Sequence, residues 1–345
     1  MVDYSIGAMG NAETLGAKPS LMIGPIRLGG RAMLAPMSGV SDLGMRRIAG
    51  RFGAALTFSE MVAAETFLGG EPEPLIRAEG EGVWPHAVQL VGRDASALAE
   101  TARRVEGAGA ALIDINMGCP CRRVSGALGG AALMRDLDHA ERLVAAVARA
   151  VLVPVTVKMR LGWDDASRNA PELARRAERA GARLATVHGR TRAQFYEGRA
   201  DWGAVRAVVD SVAIPIIVNG DCATVEDARA MLALSGAAGV MIGRAALGSP
   251  WLVAAISRAL EASGPLRSPP REQQLAAALE HLDWLLTKLG THAGLRHARK
   301  HLAAYADKAD APQSLRRDLV TAQDPGVAQS LLARAFDTVW TRQAA

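Results

Sequence analysis

Cys119, Lys158 and His188 have the widest chemical range in this chain, and each stands where an apolar run gives way to a polar island. Cys119 lies in Asn116-Met-Gly-Cys-Pro, where a thiol can serve as nucleophile, metal ligand, proton donor or small packed side chain. No metal is expected, because Cys119-x-Cys121 has the wrong spacing for a zinc knuckle and no second cysteine pair follows. Lys158 comes late in the apolar run Val155–Met159, where an ammonium is costly to bury without a partner. A cation there suits the edge of a flavin on which negative charge accumulates during reduction. The plain alternative is a strand-end lysine reaching into solvent. His188 opens the polar turn His188-Gly-Arg190-Thr-Arg192, which favours ligand contact over the role of a satisfied core histidine. Asn219-Gly220-Asp221 and Gly243-Arg244 offer small residues beside which backbone N–H groups can approach a phosphate, and Arg244 can add a bidentate contact. Read blandly, both are ordinary turns.

The elements that position these groups are eight short apolar runs: Ala32–Ala35, Leu56–Ser59, His86–Leu90, Leu112–Asn116, Val155–Met159, Leu184–His188, Ile214–Asn219 and Gly239–Ile242. Amphipathic helical segments separate them. Asp94 is placed as an N-cap, Thr224 with Asp227 as a capping box, and Gly107–Gly109 and Gly181 as helix stops. Alternating strands and helices predict an α/β fold, a closed TIM (β/α)8 barrel. A doubly wound open sheet fits less well, since no GxGxxG turn follows an early strand. The strand ends read, in order, Pro36-Met37, Ser59-Glu60, Gln89, Asn116, Lys158, His188, Asn219-Gly220-Asp221 and Gly243-Arg244. Polar or special residues thus fall in phase on the rim where barrels of this kind build active sites. Ile23–Gly30 reads as a hairpin closing the barrel bottom, with its turn at Gly29-Gly30.

The 345 residues divide on this reading into a loose extension (1–20), a barrel (21–255) and a small all-α domain (256–345). Pro265, Pro269 and Pro270 mark the junction, and Leu275, Leu279, Leu282, Leu286 and Leu289 share one helical face of a bundle of about four short helices. Farther on, Leu295, Ala298, Leu302 and Tyr305 cluster on one side of a helix, opposite Arg296, Arg299 and Lys300. Half the residues are hydrophobic and 22% charged, which excludes disorder, and the net charge of +5 is compatible with a polyanionic partner. Three cysteines make no disulfide framework, and residues 1–20 lack the pattern of a signal peptide. The most apolar stretch, Leu143–Val157, is interrupted by Arg149 and Pro154 and is too short to span a bilayer. A cytoplasmic protein with no membrane contact and no obligate protein partner is expected.

Taken together, APM (Ala35–Met37), DINMGCP (Asp114–Pro120), VKMRLGWD (Val157–Asp164), HGRTRAQFYEGRADW (His188–Trp202), NGD (Asn219–Asp221) and IGR (Ile242–Arg244) resemble the tRNA-dihydrouridine synthases. GLRHARKHLAAY (Gly294–Tyr305) resembles the helical-domain signature of the bacterial DusB-type, nitrogen-regulation-like subgroup. Cys121 after the CP pair and Ala304 in place of a tryptophan depart from that pattern. The resemblance implies FMN across the barrel mouth, bound by Ala35, Pro36, Met37, Gln89, Lys158, His188, Asn219, Gly220, Asp221, Gly243 and Arg244. It implies that Cys119 donates a proton to C5 of a D-loop uridine while hydride from FMN N5 adds at C6, with NADPH or NADH as reductant. Asn116, Arg190, Arg192, Arg296, Arg299 and Lys300 become candidates for contact with the tRNA. Two other functions compete: an FMN barrel acting on a small molecule, and a non-catalytic RNA-binding or regulatory protein.

Overall fold

The computed structural model describes residues 21–337 apart from 122, 123, 125, 127, 128 and 263–265. The expected extension over residues 1–20 and the junction residue Pro265 lie outside the described residues. The described chain begins with a two-strand hairpin, β1 (Met22–Ile23) and β2 (Ile26–Arg27). Its turn is Gly24-Pro25, not the expected Gly29-Gly30. Gly24 has φ +55°, the left-handed conformation a tight hairpin asks of its first turn residue. Leu21, Ile23 and Leu28 from this segment pack with Met33, Leu56, Leu112, Leu184 and Ile217, so the hairpin does close the barrel bottom.

Among the described residues, eight parallel strands close into a barrel. They are β3 (Ala32–Leu34), β4 (Leu56–Ala63), β5 (His86–Val91), β6 (Leu112–Met117), β7 (Val155–Arg160), β8 (Ala185–His188), β9 (Ile216–Asn219) and β10 (Gly239–Ile242). Each pairs with its sequence neighbour, and β10 returns to β3 with Ile242 opposite Leu34. Helices cover the outside, which is why these strands read as nearly unbroken apolar runs rather than alternating ones. β4 departs from expectation. It runs four residues past Ser59, with a register shift between Phe58 and Met61, because Met61-Val62-Ala63 continue the pairing to Gln89-Leu90-Val91. Ser59 and Glu60 are therefore inside the strand, at the irregularity, and not at its end.

The barrel helices are α1 (Leu43–Phe52), α2 (Ala64–Leu68), α3 (Pro72–Arg77), α4 (Ala95–Gly107), α5 (Leu137–Ala150), α6 (Ala170–Arg179), α7 (Arg206–Val209), α8 (Val225–Ser235) and α9 (Leu252–Ala262). The expected caps are present: Asp94 accepts from Ala97 N–H, and Thr224 and Asp227 form a reciprocal box. The division expected after residue 255 cuts α9 in two. Val253, Ile256, Ala259 and Leu260 of that helix are buried in the barrel core, so α9 covers the barrel.

Four helices among the described residues follow: α10 (Arg271–Leu289), α11 (Thr291–Lys308), α12 (Gln313–Thr321) and α13 (Pro325–Ala335). The buried face of α10 is centred on Ala277, Ala278, His281, Leu282 and Leu285. Most of the expected leucine stripe (Leu275, Leu279, Leu286 and Leu289) flanks that face, because small residues are what allow close helix approach at its centre. The bundle docks on α1, where a Cβ at Gly44 would stand 3.0 Å from His281 and 3.1 Å from Trp284. Beside it the Asp42 carboxylate caps α1 through Met45 N–H and takes His281 Nε2 at 3.1 Å. His281 Nδ1 lies 3.1 Å from the Tyr305 hydroxyl, and His301 Nε2 lies 3.5 Å from the same carboxylate.

Candidate active site

The C-terminal ends of the barrel strands open into a cavity of about 1260 Å³. Ala35, Pro36, Met37, Lys158, His188, Asn219, Gly220, Asp221, Gly243 and Arg244 all line it, as do Asn116 and Cys119. Gln89 is not among the lining residues. It is fully buried, donating from Nε2 to Asp114 Oδ2 (2.6 Å) and accepting from Asn116 Nδ2 (2.9 Å). Asn116 in turn accepts the backbone N–H groups of Gly118 (3.1 Å) and Cys119 (2.9 Å), which fixes the turn that carries the thiol. Burial pushes the Asp114 carboxyl up to about 6, against hydrogen bonds from Gln89 and Thr156. Burial likewise raises the Cys119 thiol above its ordinary value, so it stays protonated at neutral pH.

Asn219 is the hub of the opposite wall. Its Nδ2 donates to Met241 O (2.8 Å), which aims Oδ1 at both Lys158 Nζ (3.1 Å) and His188 Nδ1 (2.9 Å). Burial, with the nearby Arg160 charge, pulls the Lys158 ammonium down to about 8. His188 Nε2 lies 3.3 Å from Arg190 Nη1, and a guanidinium can only donate. The ring proton is therefore on Nδ1, and burial holds this imidazole neutral, well below its usual range.

The sequence puts Arg190 among the tRNA-facing candidates, and the structure places it inside. Its guanidinium is buried, spanning Asp221 at 2.6 and 3.1 Å and donating to Glu197 O and Gly198 O. A donor set so fully committed braces the loop and leaves nothing for a phosphate. Burial would raise the Asp221 carboxyl, but Arg190 and the Ala200 N–H outweigh it and hold the group below its ordinary value. Gly220, at φ +120°, turns the chain where an added Cβ would meet the Ala200 Cβ at 2.7 Å. Arg244 reaches Asp221 at 3.2 Å while its side chain remains 63% exposed. Arg192 is half-buried, its guanidinium 4.6 Å from the Trp163 ring.

Arg160 is the main site residue that sequence reasoning missed. It is buried and donates to Gly118 O, Thr191 O and Phe195 O at 2.8 Å each, tying the Cys119 turn to the loop after β8. The signal was present, since Arg160 is two residues beyond Lys158 on the same strand and so shares its face. Its guanidinium lies 5.4 Å from the Tyr196 ring, with that of Arg244 at 5.2 Å, and Phe195 meets Tyr196 edge-on. Arg296, Arg299 and Lys300 are exposed on α11 and do not line the cavity. Lys300 bends back to the rim, its Nζ 2.5 Å from where a Cβ at Gly39 would stand. No helix among the described residues is long and apolar enough to cross a membrane.

The chain resembles known proteins in sequence and in fold. A model of the family described as Dihydrouridine synthase (Dus) matches residues 33–340. A probable tRNA-dihydrouridine synthase of Rhodobacter capsulatus is 47% identical over 319 residues, covering 92% of this chain and 98% of the relative. The tRNA-dihydrouridine synthase B of Pseudomonas aeruginosa is 39% identical over 315 residues, 91% and 95% of the respective chains. Among solved structures, a histamine dehydrogenase from Rhizobium sp. 4-9 aligns with a TM-score of 0.53 at 14% identity, over 76% of this chain and 50% of that one. A 6-hydroxypseudooxynicotine amine oxidase from Pseudomonas geniculata N1 aligns with 0.55 at 12%, over 75% and 52%. At such identities the likeness is one of fold.

Proposed function

The chain belongs to the dihydrouridine synthase family, and on that premise we propose that it works as a tRNA-dihydrouridine synthase, reducing the C5=C6 bond of a D-loop uridine with FMN and a nicotinamide reductant. The observation that carries the reading is a protonated thiol and a desolvated lysine lining one cavity, on the turn after β6 and on β7.

The residues fit FMN. Lys158 is a half-buried cation whose hydrogen bond to Asn219 leaves donor capacity toward the cavity. Gly220 and Gly243 supply the small-residue turns after β9 and β10 at which barrels hold phosphate, and Arg244 is free enough to turn toward one. Asp221 beside them does not repel an anion strongly, because Arg190 and Arg244 both neutralise it. One phosphate site and no dinucleotide fingerprint favour FMN over FAD.

FMN held by these residues would supply hydride chemistry at C6 of the uracil ring, with NADPH or NADH as the reductant. The chain's own part is to hold charge and protons. Lys158 stabilises negative charge at the ring edge, and His188, neutral and protonated on Nδ1, is fixed in the same wall by donating to Asn219 and accepting from Arg190 at Nε2. Conjugation to the C4 carbonyl makes the reduced pyrimidine an enolate, and Cys119 Sγ delivers the proton to C5 and takes it back from solvent. Asn116 holds the thiol-bearing turn and lines the cavity, where it can also meet the base. The uridine must leave the tRNA stack to reach this depth.

Purified protein, FMN, NADPH and an unmodified tRNA transcript test the whole reading. Dihydrouridine, detected as a gain of two hydrogens on one D-loop uridine, is the expected product. Reduction of a free enone or pyrimidine with no change in the tRNA would overturn it, and release of FAD on denaturation would overturn the cofactor assignment.

A further inference from the structure

We infer that the tRNA strand flanking the target uridine crosses a second basic surface, built on the loops after β5, β6, β7 and β8, across the barrel mouth from the helical domain. The inference rests on the tRNA reading above. Its centre is Trp163, whose indole has the guanidinium of Arg135 at 4.9 Å and that of Arg192 at 4.6 Å. Arg192 Nε is buried without a hydrogen-bond partner. Arg93 and Arg135 line a hollow of about 800 Å³ next to the main cavity, which also has Arg93 in its wall.

No ion pair among the described residues joins Arg93, Arg135 or Arg192 to a carboxylate, whereas Arg168 and Arg176, on the loop after β7 and on α6, each have one. Asp94 and Asp136, which also line the hollow, keep their negative charge but direct their acceptor oxygens at helix N-termini. Asp94 and Asp136 cap α4 and α5 through Ala97 N–H (2.7 Å) and His139 N–H (2.9 Å), and Asp165 pairs with Arg168. Glu65, at the edge shared by cavity and hollow, is an acceptor that suits a base N–H rather than a phosphate. A guanidinium stacked on an indole keeps its in-plane donors free and held in one orientation, as bidentate contact with a phosphate requires.

Topology supplies the partner. In the closed strand order β7 lies across the barrel from β3, and α1, the helix after β3, carries the helical domain. The α11 strip and the Arg135–Trp163–Arg192 stack therefore bracket the cavity. A strand whose uridine is drawn into that cavity presents a phosphate on each side of the extruded nucleotide. The surface fits the second of these.

Arg135 is exposed, so Arg135→Glu and Arg135→Lys should fold, with flavin content and melting temperature as controls. In the flavin-loaded full chain, Arg135→Glu should raise the tRNA KM and lower the salt slope of tRNA binding by about 0.7–0.9. Arg135→Lys should keep the slope, and Trp163→Ala should weaken tRNA binding in the same direction. The KM for NADPH should stay where it is. An increase in that KM with tRNA affinity unmoved would assign the hollow to the phosphates of the reductant and overturn the inference. So would unmoved affinity and slope in an enzyme that still makes dihydrouridine. If the wild-type chain made none, the tRNA reading itself would fail and take this inference with it.

Discussion

Cys119 and Lys158 divide the work because burial acts on them with opposite sign: it keeps the thiol neutral and makes the ammonium easier to discharge. Cys119→Ala should leave FMN bound and slow single-turnover uridine reduction by about 10²–10⁴-fold, the usual worth of a general acid. Cys121 is exposed, and Cys121→Ala should be nearly silent; the reverse pattern would show the assignment shifted by two residues. Lys158 in flavin-stripped protein loses its proton as pH rises through about 8. Its charge favours flavin below that point, so the FMN affinity of stripped apoprotein, read by fluorescence titration, should fall above it. A flat profile would remove Lys158 from the flavin site. Most of this wall was legible from residues alone, since Lys158, His188 and Asn219 stand at strand ends that fall in phase. Arg190 was not. Its motif places it on the rim, but only packing reveals that Asp221 and two carbonyls draw it inward.

The strand-end turns after β8 and β9 act as one element because Arg190 joins them. Removing it strips the main neutralising partner from Asp221, whose side chain is only 27% exposed. Arg190→Ala should cost on the order of 3 kcal/mol, at the low end for breaking a buried pair because solvent reaches part of Asp221. At about 2–4 °C per kcal/mol for a domain of this size, calorimetry should show melting lowered by roughly 6–12 °C. Early loss of flavin should accompany it, and a melting point within a degree of wild type would contradict the brace. Elements were legible where local chemistry defines their ends, as at Asp94 and Thr224, and obscure where tertiary pairing does. Met61–Ala63 follow Glu60 and do not read as strand until β5 is beside them. α9 is apolar on its own, and nothing local says that its partner is the barrel.

At the scale of the whole molecule, a buried polar cluster joins barrel to bundle. Asp42 is held below the usual carboxylate range: burial would raise it, and the charge and hydrogen bond of His281, with the Met45 N–H, more than reverse that. His301 is held neutral by burial, well below 6.5. Both folded values lie under the unfolded ones, so both groups stabilise docking at neutral pH. The histidine contribution is lost as pH falls below about 6.5, the carboxylate one below about 4. Hydrogen exchange in α10 and α11 should therefore accelerate on acidification before exchange in the barrel strands does. The same docking sets where the basic strip of α11 faces. Leu295, Ala298, Leu302 and Tyr305 are buried as the helical wheel predicts, which leaves Arg296 and Arg299 pointing outward. Lys300 reaches instead toward the rim at Gly39, a turn that the wheel does not reveal because it depends on the bundle's position. A solvated charged face is the ordinary fate of such a strip. This one sits on a helix clamped beside a cavity whose proposed substrate is a polyanion. Arg296→Glu with Arg299→Glu should weaken tRNA binding and reduce its salt slope by about 0.7–0.9 for each phosphate that these side chains neutralise. FMN content should not move, since neither residue lines the cavity. An unaltered slope in that double variant would mean that the bundle places these charges in water alone.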